Sequence, residues 1–341
     1  VSSFIKGMYK VSLEPFTKIQ LAPLYSSPNI VFPFQTVHND IFISLREGVT
    51  KVGSFNPEGF QEFPFIINGV TRIDNTYYCA TNKGVKRFNK SANTTDFIVE
   101  FFDNQNINFI SSERDNLWVG VAGQGLFRIN LKTRKPVKIG AISNELPPNY
   151  IYTGQFLNKQ KLLYVGTSDG IYYCNKENPK LQRLKTPESF GSYSGCSTKD
   201  VFGTIWFTME KGLVGITEEA KMVTIKGEDY FSTNLFFTLC SDRLGNLILG
   251  TNKGINILKV DKKGVVKTAS SYDANSGFGG YETHMRSQFQ NDNSIFVGTV
   301  EGLFLINTDI LEQLKTPIKP TIISLKEFEV NQSDRKNVFQ F

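Results

Sequence analysis

Apolar and polar positions along this chain recur as one unit: a short apolar strand, a small-residue turn, one glycine, and a second apolar strand. Seven copies lie over one another: IFISLREGVTKV, YYCATNKGVKRF, LWVGVAGQGLFRI, LYVGTSDGIYYC, IWFTMEKGLVGI, LILGTNKGINIL and IFVGTVEGLFLI. Their glycines are Gly48, Gly84, Gly125, Gly170, Gly212, Gly254 and Gly302, in steps of 36, 41, 45, 42, 42 and 48 residues. Strand-type patterning at this period, with no helical pattern between copies, predicts an all-β fold. It is a seven-bladed β-propeller of four-stranded antiparallel blades, one blade per repeat.

Alignment on the glycine separates the roles of the columns. Six residues before it stand Phe42, Tyr78, Tyr164, Trp206, Ile248 and Phe296; Trp118 stands seven before because its copy carries one extra turn residue. This large column reads as core. Four residues before the glycine come Ser44, Ala80, Gly166, Thr208, Gly250 and Gly298, all small, as close packing near a central axis requires. The glycine itself is expected to supply a positive φ in the turn joining two strands.

Upstream of each signature an inner strand is expected, starting near Ile30, Val70, Ile107, Ile151, Ser194, Leu235 and Met285. Polar turns such as SERDN (112–116), KDVFG (199–203), SDRLG (241–245) and QNDN (290–293) then lead into the signature strand. The propeller is expected to occupy residues 1–316. Its first 20 residues read as strands that close the ring, or as the tail of a preceding module. GMYKV (7–11) matches the second half of a signature, one period of 41 residues before Gly48. Closure matters because an open edge strand invites aggregation. Residues 317–341 read as a linker, marked by Pro317 and Pro320, and the first strand, TIISLKEFEV, of a truncated β-sandwich. A chain beginning on Val reads as a mature or excised segment.

The repeats RDNLWVGVAGQGLFRIN, RLGNLILGTNKGINIL and DNSIFVGTVEGLFLIN resemble the two-component regulator propeller repeat. KPTIISLKEFEVN is similar to the opening of the triple-tyrosine β-sandwich that follows such propellers. The copies IFISLREGV and IWFTMEKGL depart from the "GT" pair of that repeat. The resemblance implies a periplasmic, extracytoplasmic sensor region of a hybrid two-component protein, detecting an oligosaccharide and signalling to a C-terminal output module. In that family the output is a histidine kinase or a DNA-binding domain, and neither lies within these residues.

Composition adds limits. The formal net charge is +6 and the Lys and Arg residues are scattered, the densest run being KTRKPVK at 132–138. That loop reads as solubilising, so no nucleic-acid partner is expected. No apolar run reaches the roughly 18 residues of a membrane helix, and no membrane insertion by this segment is expected. Cys79, Cys174, Cys196 and Cys240 fall in separate repeats without C-x-x-C spacing or a nearby His, which reads as buried thiols and no metal site. Gly166-Thr167-Ser168-Asp169-Gly170 matches G-x-S-x-G, but a nucleophile elbow needs a strand–turn–helix and this is a hairpin turn. No catalytic residue and no cofactor is expected.

Candidate binding residues follow from propeller geometry. The signature turns bring Arg46, Lys83, Lys211 and Lys253 to one face, and the loops entering the inner strands add Tyr150, Tyr193, Asn234, Tyr281, Glu282, His284 and Arg286 to it. Aromatic planes among charged and amide groups suit sugar rings. The loop GFGGYETHMRSQ (277–288) is the strongest single candidate. Two alternatives stay open: a scaffold that binds protein without a small ligand, and a propeller enzyme such as a hydrolase or lyase. A neighbouring β-sandwich, a second propeller of the same chain or a second copy in a homodimer are the macromolecular partners to weigh.

Overall fold

Each of the first six repeats folds as one four-stranded antiparallel sheet with its strands in sequence order. The computed structural model describes residues 2–3, 7–8, 15–19, 30–35, 41–53, 61–90, 95–142, 148–290 and 295–310. Blades 1 to 6 span 30–63, 67–101, 107–138, 151–183, 197–226 and 236–272. Blade 7 takes Thr283–Gln290, Ile295–Thr299 and Gly302–Ile306, and its outermost strand is Phe16–Lys18 from the other end of the chain.

That last strand closes the ring. Phe16 pairs with Ile306, Thr17 with Leu305 and Lys18 with Phe304. Phe16 is buried, its ring 5.0 Å from Tyr272 of blade 6 and 5.3 Å from Phe278. A strand from the N-terminus thereby covers the edge that blade 7 would otherwise leave open. The GMYKV segment does not join this sheet: Gly7–Met8 pairs with Ser2–Ser3 in a separate two-stranded ribbon. The linker and sandwich strand expected over 317–341 lie outside the described residues.

Among the described residues the core is seven apolar clusters, each spanning two neighbouring blades. Phe42 and Ile67 share one between blades 1 and 2, and Trp118 and Leu163 one between blades 3 and 4. Ile43 and Leu303 share the one between blades 1 and 7. No blade can bury its faces alone, so each depends on both neighbours.

The signature columns acquire physical causes. All seven turn glycines have positive φ, from +92° at Gly125 to +152° at Gly212. The small column exists because the next blade's first residues press against it. A Cβ on Gly120 would lie 2.8 Å from Ile151 Cβ, and one on Gly166 would lie 2.6 Å from Ser194 Oγ. Where the signature carries Thr before the turn, its hydroxyl closes that turn. Thr81, Thr167, Thr251 and Thr299 each accept from the amide two residues on, at 3.0 Å. Each also donates to the turn glycine's carbonyl, at 2.8–3.0 Å. Leu45, Val121 and Met209 hold this place in the other blades, and the copies with Leu45 and Met209 are the two that lack both residues of the "GT" pair.

The Asp of the polar turns has its own work. Asp200 Oδ1 accepts from the amides of Phe202 and Thr204, and its Oδ2 accepts from Trp206 Nε1 at 2.7 Å. Asp242 repeats the turn with Leu244, Asn246 and the Asn246 side chain. These buried carboxylates replace the backbone partners that a tight turn lacks.

Candidate functional site

The innermost strands do not run in simple register. In blade 4, Ile151 pairs with Thr167 and Thr153 with Gly166, so Tyr152 is an extra residue without a cross-strand partner. The same one-residue bulge frees Val31, Asn68, Asn108 and Phe237 in blades 1, 2, 3 and 6. Blade 7 goes further. Thr283 pairs with Thr299 and the next pair is Gln288 with Val297, so four residues, His284 to Ser287, are accommodated opposite Gly298 alone. Bulges re-aim side chains, and in blades 2, 3, 4 and 7 they bring one to the axis.

Asn68, Asn108, Tyr152 and Arg286, all bulge residues, line a central cavity of about 300 Å³ together with Ser197, Thr198 and Gln288. Its walls are held by polar links between blades. Asn68 Nδ2 donates to Asn106 Oδ1 at 3.1 Å and to the Ile107 carbonyl at 2.8 Å. Gln288 mimics a strand edge: its Nε2 donates to the Leu239 carbonyl and its Oε1 accepts from the Leu239 amide.

Arg286 crosses the axis. Its Nη1 donates to the Asn108 carbonyl of blade 3 at 2.8 Å and to the Tyr152 carbonyl of blade 4 at 3.3 Å. Its Cζ lies 5.4 Å from the Tyr152 ring centroid, within cation–π range. The Arg286 backbone is left-handed at φ +60°, a conformation a non-glycine residue adopts only when its surroundings insist.

Above Arg286 runs a row of aromatic rings. Tyr150 stacks on Tyr152 with centroids 6.3 Å apart and planes at 21°. Tyr152 meets Tyr193 at 5.4 Å, and the Tyr193 hydroxyl donates to Met285 Sδ at 3.0 Å. The row thus links blades 4, 5 and 7. Burial pushes the Tyr193 phenol up to about 12, so it stays a donor. The loop carrying Tyr193 is fixed by Glu210, whose Oε1 accepts from the Ser192 and Tyr193 amides; those bonds hold its carboxyl below the usual range.

Of the residues expected from sequence, Tyr150, Tyr193 and Arg286 therefore gather around Tyr152. Arg286 belongs to the bulged innermost strand of blade 7 and not to a projecting loop. His284 is half-buried, and its pKa is lowered by burial and by Arg46, with Glu282 acting in the opposite sense. Arg46 and Glu282 thus lie near enough to His284 for their charges to act on it. Tyr281 is exposed at left-handed φ +47°, and Asn234 is exposed in the loop entering blade 6. Lys83, Lys211 and Lys253 are exposed on signature turns and do not line the cavity; Lys253 Nζ donates to the Ser232 carbonyl at 3.4 Å.

Sequence reasoning missed Tyr152, Met285, Asn68 and Asn108. A faint signal existed: the residue after the first apolar position of an inner strand is Asn or Tyr in blades 2, 3 and 4. Ser168 is exposed in the Thr167–Gly170 hairpin turn, with a strand on each side. The four cysteines are buried, and burial raises the Cys196 thiol to about 11 and Cys174 to about 12, which leaves them protonated. Among the described residues no three His, Cys, Asp or Glu cluster as metal ligands, and no helix is long and apolar enough to cross a membrane. In the basic 132–138 run, Lys132 pairs with Asp115 and Arg134 with Glu100, both at 2.6 Å.

A seven-bladed propeller with a polar, aromatic-rimmed central cavity is the class that fold and site define. No family model and no curated protein matches the chain. Among solved structures it is similar to extracellular domains assigned to hybrid two-component systems of B. thetaiotaomicron. One superposes with TM-score 0.67 at 21% identity, over 86% of this chain and 40% of its own. A second gives 0.71 at 17%, over 93% and 45%. The chain thus spans less than half the length of these structures. Virginiamycin B lyase from Staphylococcus aureus shares the fold at TM-score 0.62 and 13% identity, over 85% of this chain and 97% of its own. At these identities the likeness is one of fold.

Proposed function

We propose that this chain is the ligand-sensing part of an extracytoplasmic signalling protein and takes an oligosaccharide at the mouth of its central cavity. The observation that carries this reading is the row Tyr150–Tyr152–Tyr193 above a cavity rimmed with amide and hydroxyl groups. Sugar rings stack their C–H faces on such planes while their hydroxyls exchange hydrogen bonds. The similar extracellular domains of two-component systems support the sensing role. The output module, kinase or DNA-binding, would lie in a further part of the parent protein. The reading is one of sensing without catalysis, and the similar two-component extracellular domains support it.

A glycan array followed by calorimetry on the 341-residue chain tests the reading. At least one oligosaccharide class should bind, and Tyr152→Ala should weaken it more than tenfold. Absence of binding to any glycan would sink the proposal and favour the protein-binding scaffold.

A further inference from the structure

The central cavity contains a charge that its own walls do not balance. Arg286 lines it, and none of the other described residues lining it is a carboxylate. Glu282, two strand positions from His284, is exposed outside the cavity. The partners of the guanidinium are the Asn108 and Tyr152 carbonyls and the Tyr152 ring, all neutral. Its Nε–H is buried without a hydrogen-bond partner.

A guanidinium remains protonated at every accessible pH. Sequestering it beside neutral groups and leaving one of its donors unmade both oppose folding. The fold nevertheless holds it there through a four-residue bulge and a left-handed backbone at φ +60°. Neither device serves packing alone, because the other bulged blades manage with one extra residue. Arg286 Nη1, anchored on two carbonyls, fixes the plane of the group and so fixes where Nε–H points. An oriented cation without a counter-charge, lining a polar cavity, is what an anionic oxygen group needs.

We propose that the oligosaccharide is acidic, and that the Arg286 guanidinium receives its anionic group, a uronate carboxylate or a sulfate ester, while the ring stacks on Tyr152 and Tyr193. This deepens the oligosaccharide reading and rests on it. The bound anion supplies the counter-charge that the cavity lacks, so neutral sugars of the same shape bind less well.

Matched pairs test this on the unmodified 341-residue chain by calorimetry at 50 and 500 mM salt. One arm sets oligogalacturonates against their neutral methyl esters; the other sets sulfated oligosaccharides against their desulfated forms. In one arm the acid should bind at least tenfold more tightly than its neutral partner, with the ratio shrinking at high salt. The arm that responds tells carboxylate from sulfate. Arg286→Gln should abolish the ratio and Arg286→Lys should keep part of it. Neutral members binding as tightly as acids would overturn the inference while leaving the oligosaccharide reading intact. A ratio that survives Arg286→Gln in folded protein would overturn it as well. Failure of every sugar, acid or neutral, would remove both. The comparison within each pair needs no variant, so a misfolded Arg286→Gln protein does not spare the proposal.

Discussion

Blades 6 and 7 are neighbours built on nearly the same signature, LILGTNKGINIL and IFVGTVEGLFLI, yet their innermost strands differ. In blade 6 one residue, Phe237, is extra, and the ladder resumes at once with Thr238 opposite Gly250. In blade 7 the ladder breaks after Thr283 and resumes only at Gln288. The second and third strands of both blades are regular, with five residue pairs from Ile295↔Ile306 to Thr299↔Gly302 in blade 7. The signature therefore builds the scaffold, and the irregularity is confined to the strand that faces the axis. A propeller can carry a distorted inner strand because the two outer neighbours and the next blade hold the sheet in place.

That contrast can be broken most forcefully at the small residues. A Cβ on Gly250 would crowd the side chains of Thr238 and Thr283, whereas one on Gly298 would overlap both Ser287 Oγ and the backbone carbonyl of Ile30 in blade 1. Side chains can yield by rotation; a carbonyl in a packed neighbouring blade cannot. Gly298→Ala should cost about 3 kcal/mol and Gly250→Ala about 1–2 kcal/mol in chemical denaturation. Equal costs would show that the bulge is no more tightly wedged than the regular strand.

Ser287 offers a finer probe of the same wedge. It is fully buried, and its hydroxyl donates to the Ile30 carbonyl at 2.9 Å, tying the bulge to blade 1. Ser287→Ala should cost about 1–2 kcal/mol by leaving that carbonyl short of a partner. It should also soften the effect of Gly298→Ala, since the Oγ is one of the three atoms in the way, the others being Ile30 O and Ile30 Cγ2. Strict additivity in the double mutant would place the clash wholly on Ile30.

Outside the bulge the two blades should behave alike. Thr251 and Thr299 are both fully buried and make the same pair of turn hydrogen bonds. Thr251→Val and Thr299→Val should each cost about 1 kcal/mol. Leu45, Val121 and Met209 at this position in other blades show that the turn survives without the hydroxyl. Unequal losses would extend the irregularity of blade 7 into its signature hairpin.

The same division explains what was legible in the sequence. The repeat and its columns come from inter-blade packing and turn geometry, which act on residue type at fixed spacing, so the blades, their order and the closing strand could be anticipated. Tyr150, Tyr193 and Arg286 could be placed on one face because the repeat pattern puts them where the chain enters an inner strand. Tyr152 could not, because in IYTGQFL it reads as an ordinary alternating strand residue; only the register shift between Ile151 and Thr153 frees it. Arg286 read as a loop residue for the same reason in reverse: four unpaired positions inside a strand look like a loop. Lys83, Lys211 and Lys253 share a face with the cavity, but how far a turn stands from the axis leaves no mark on spacing.

The smallest expected effect concerns His284, the first residue of the bulge. It is half-buried, and burial is the main cause holding its pKa below the ordinary 6.5, with the positive charge of Arg46 adding to it and Glu282 opposing. In the unfolded chain the imidazole takes up a proton as pH falls through the ordinary histidine range, while in the folded chain it resists until lower pH. The unfolded state then binds more protons, so stability from this group falls as pH drops below about 6.5 and levels off once the folded group is also protonated. His284→Gln removes that term and keeps a polar side chain. The wild-type melting temperature should fall slightly more than that of His284→Gln between pH 7.5 and pH 5. At pH 7.5, where both states of His284 are neutral, the variants should differ only by an offset that pH does not change. If the wild type instead gains stability relative to His284→Gln on acidification, Glu282 outweighs burial and Arg46, and the rim of blade 7 is an ion-pair site instead of a desolvated one.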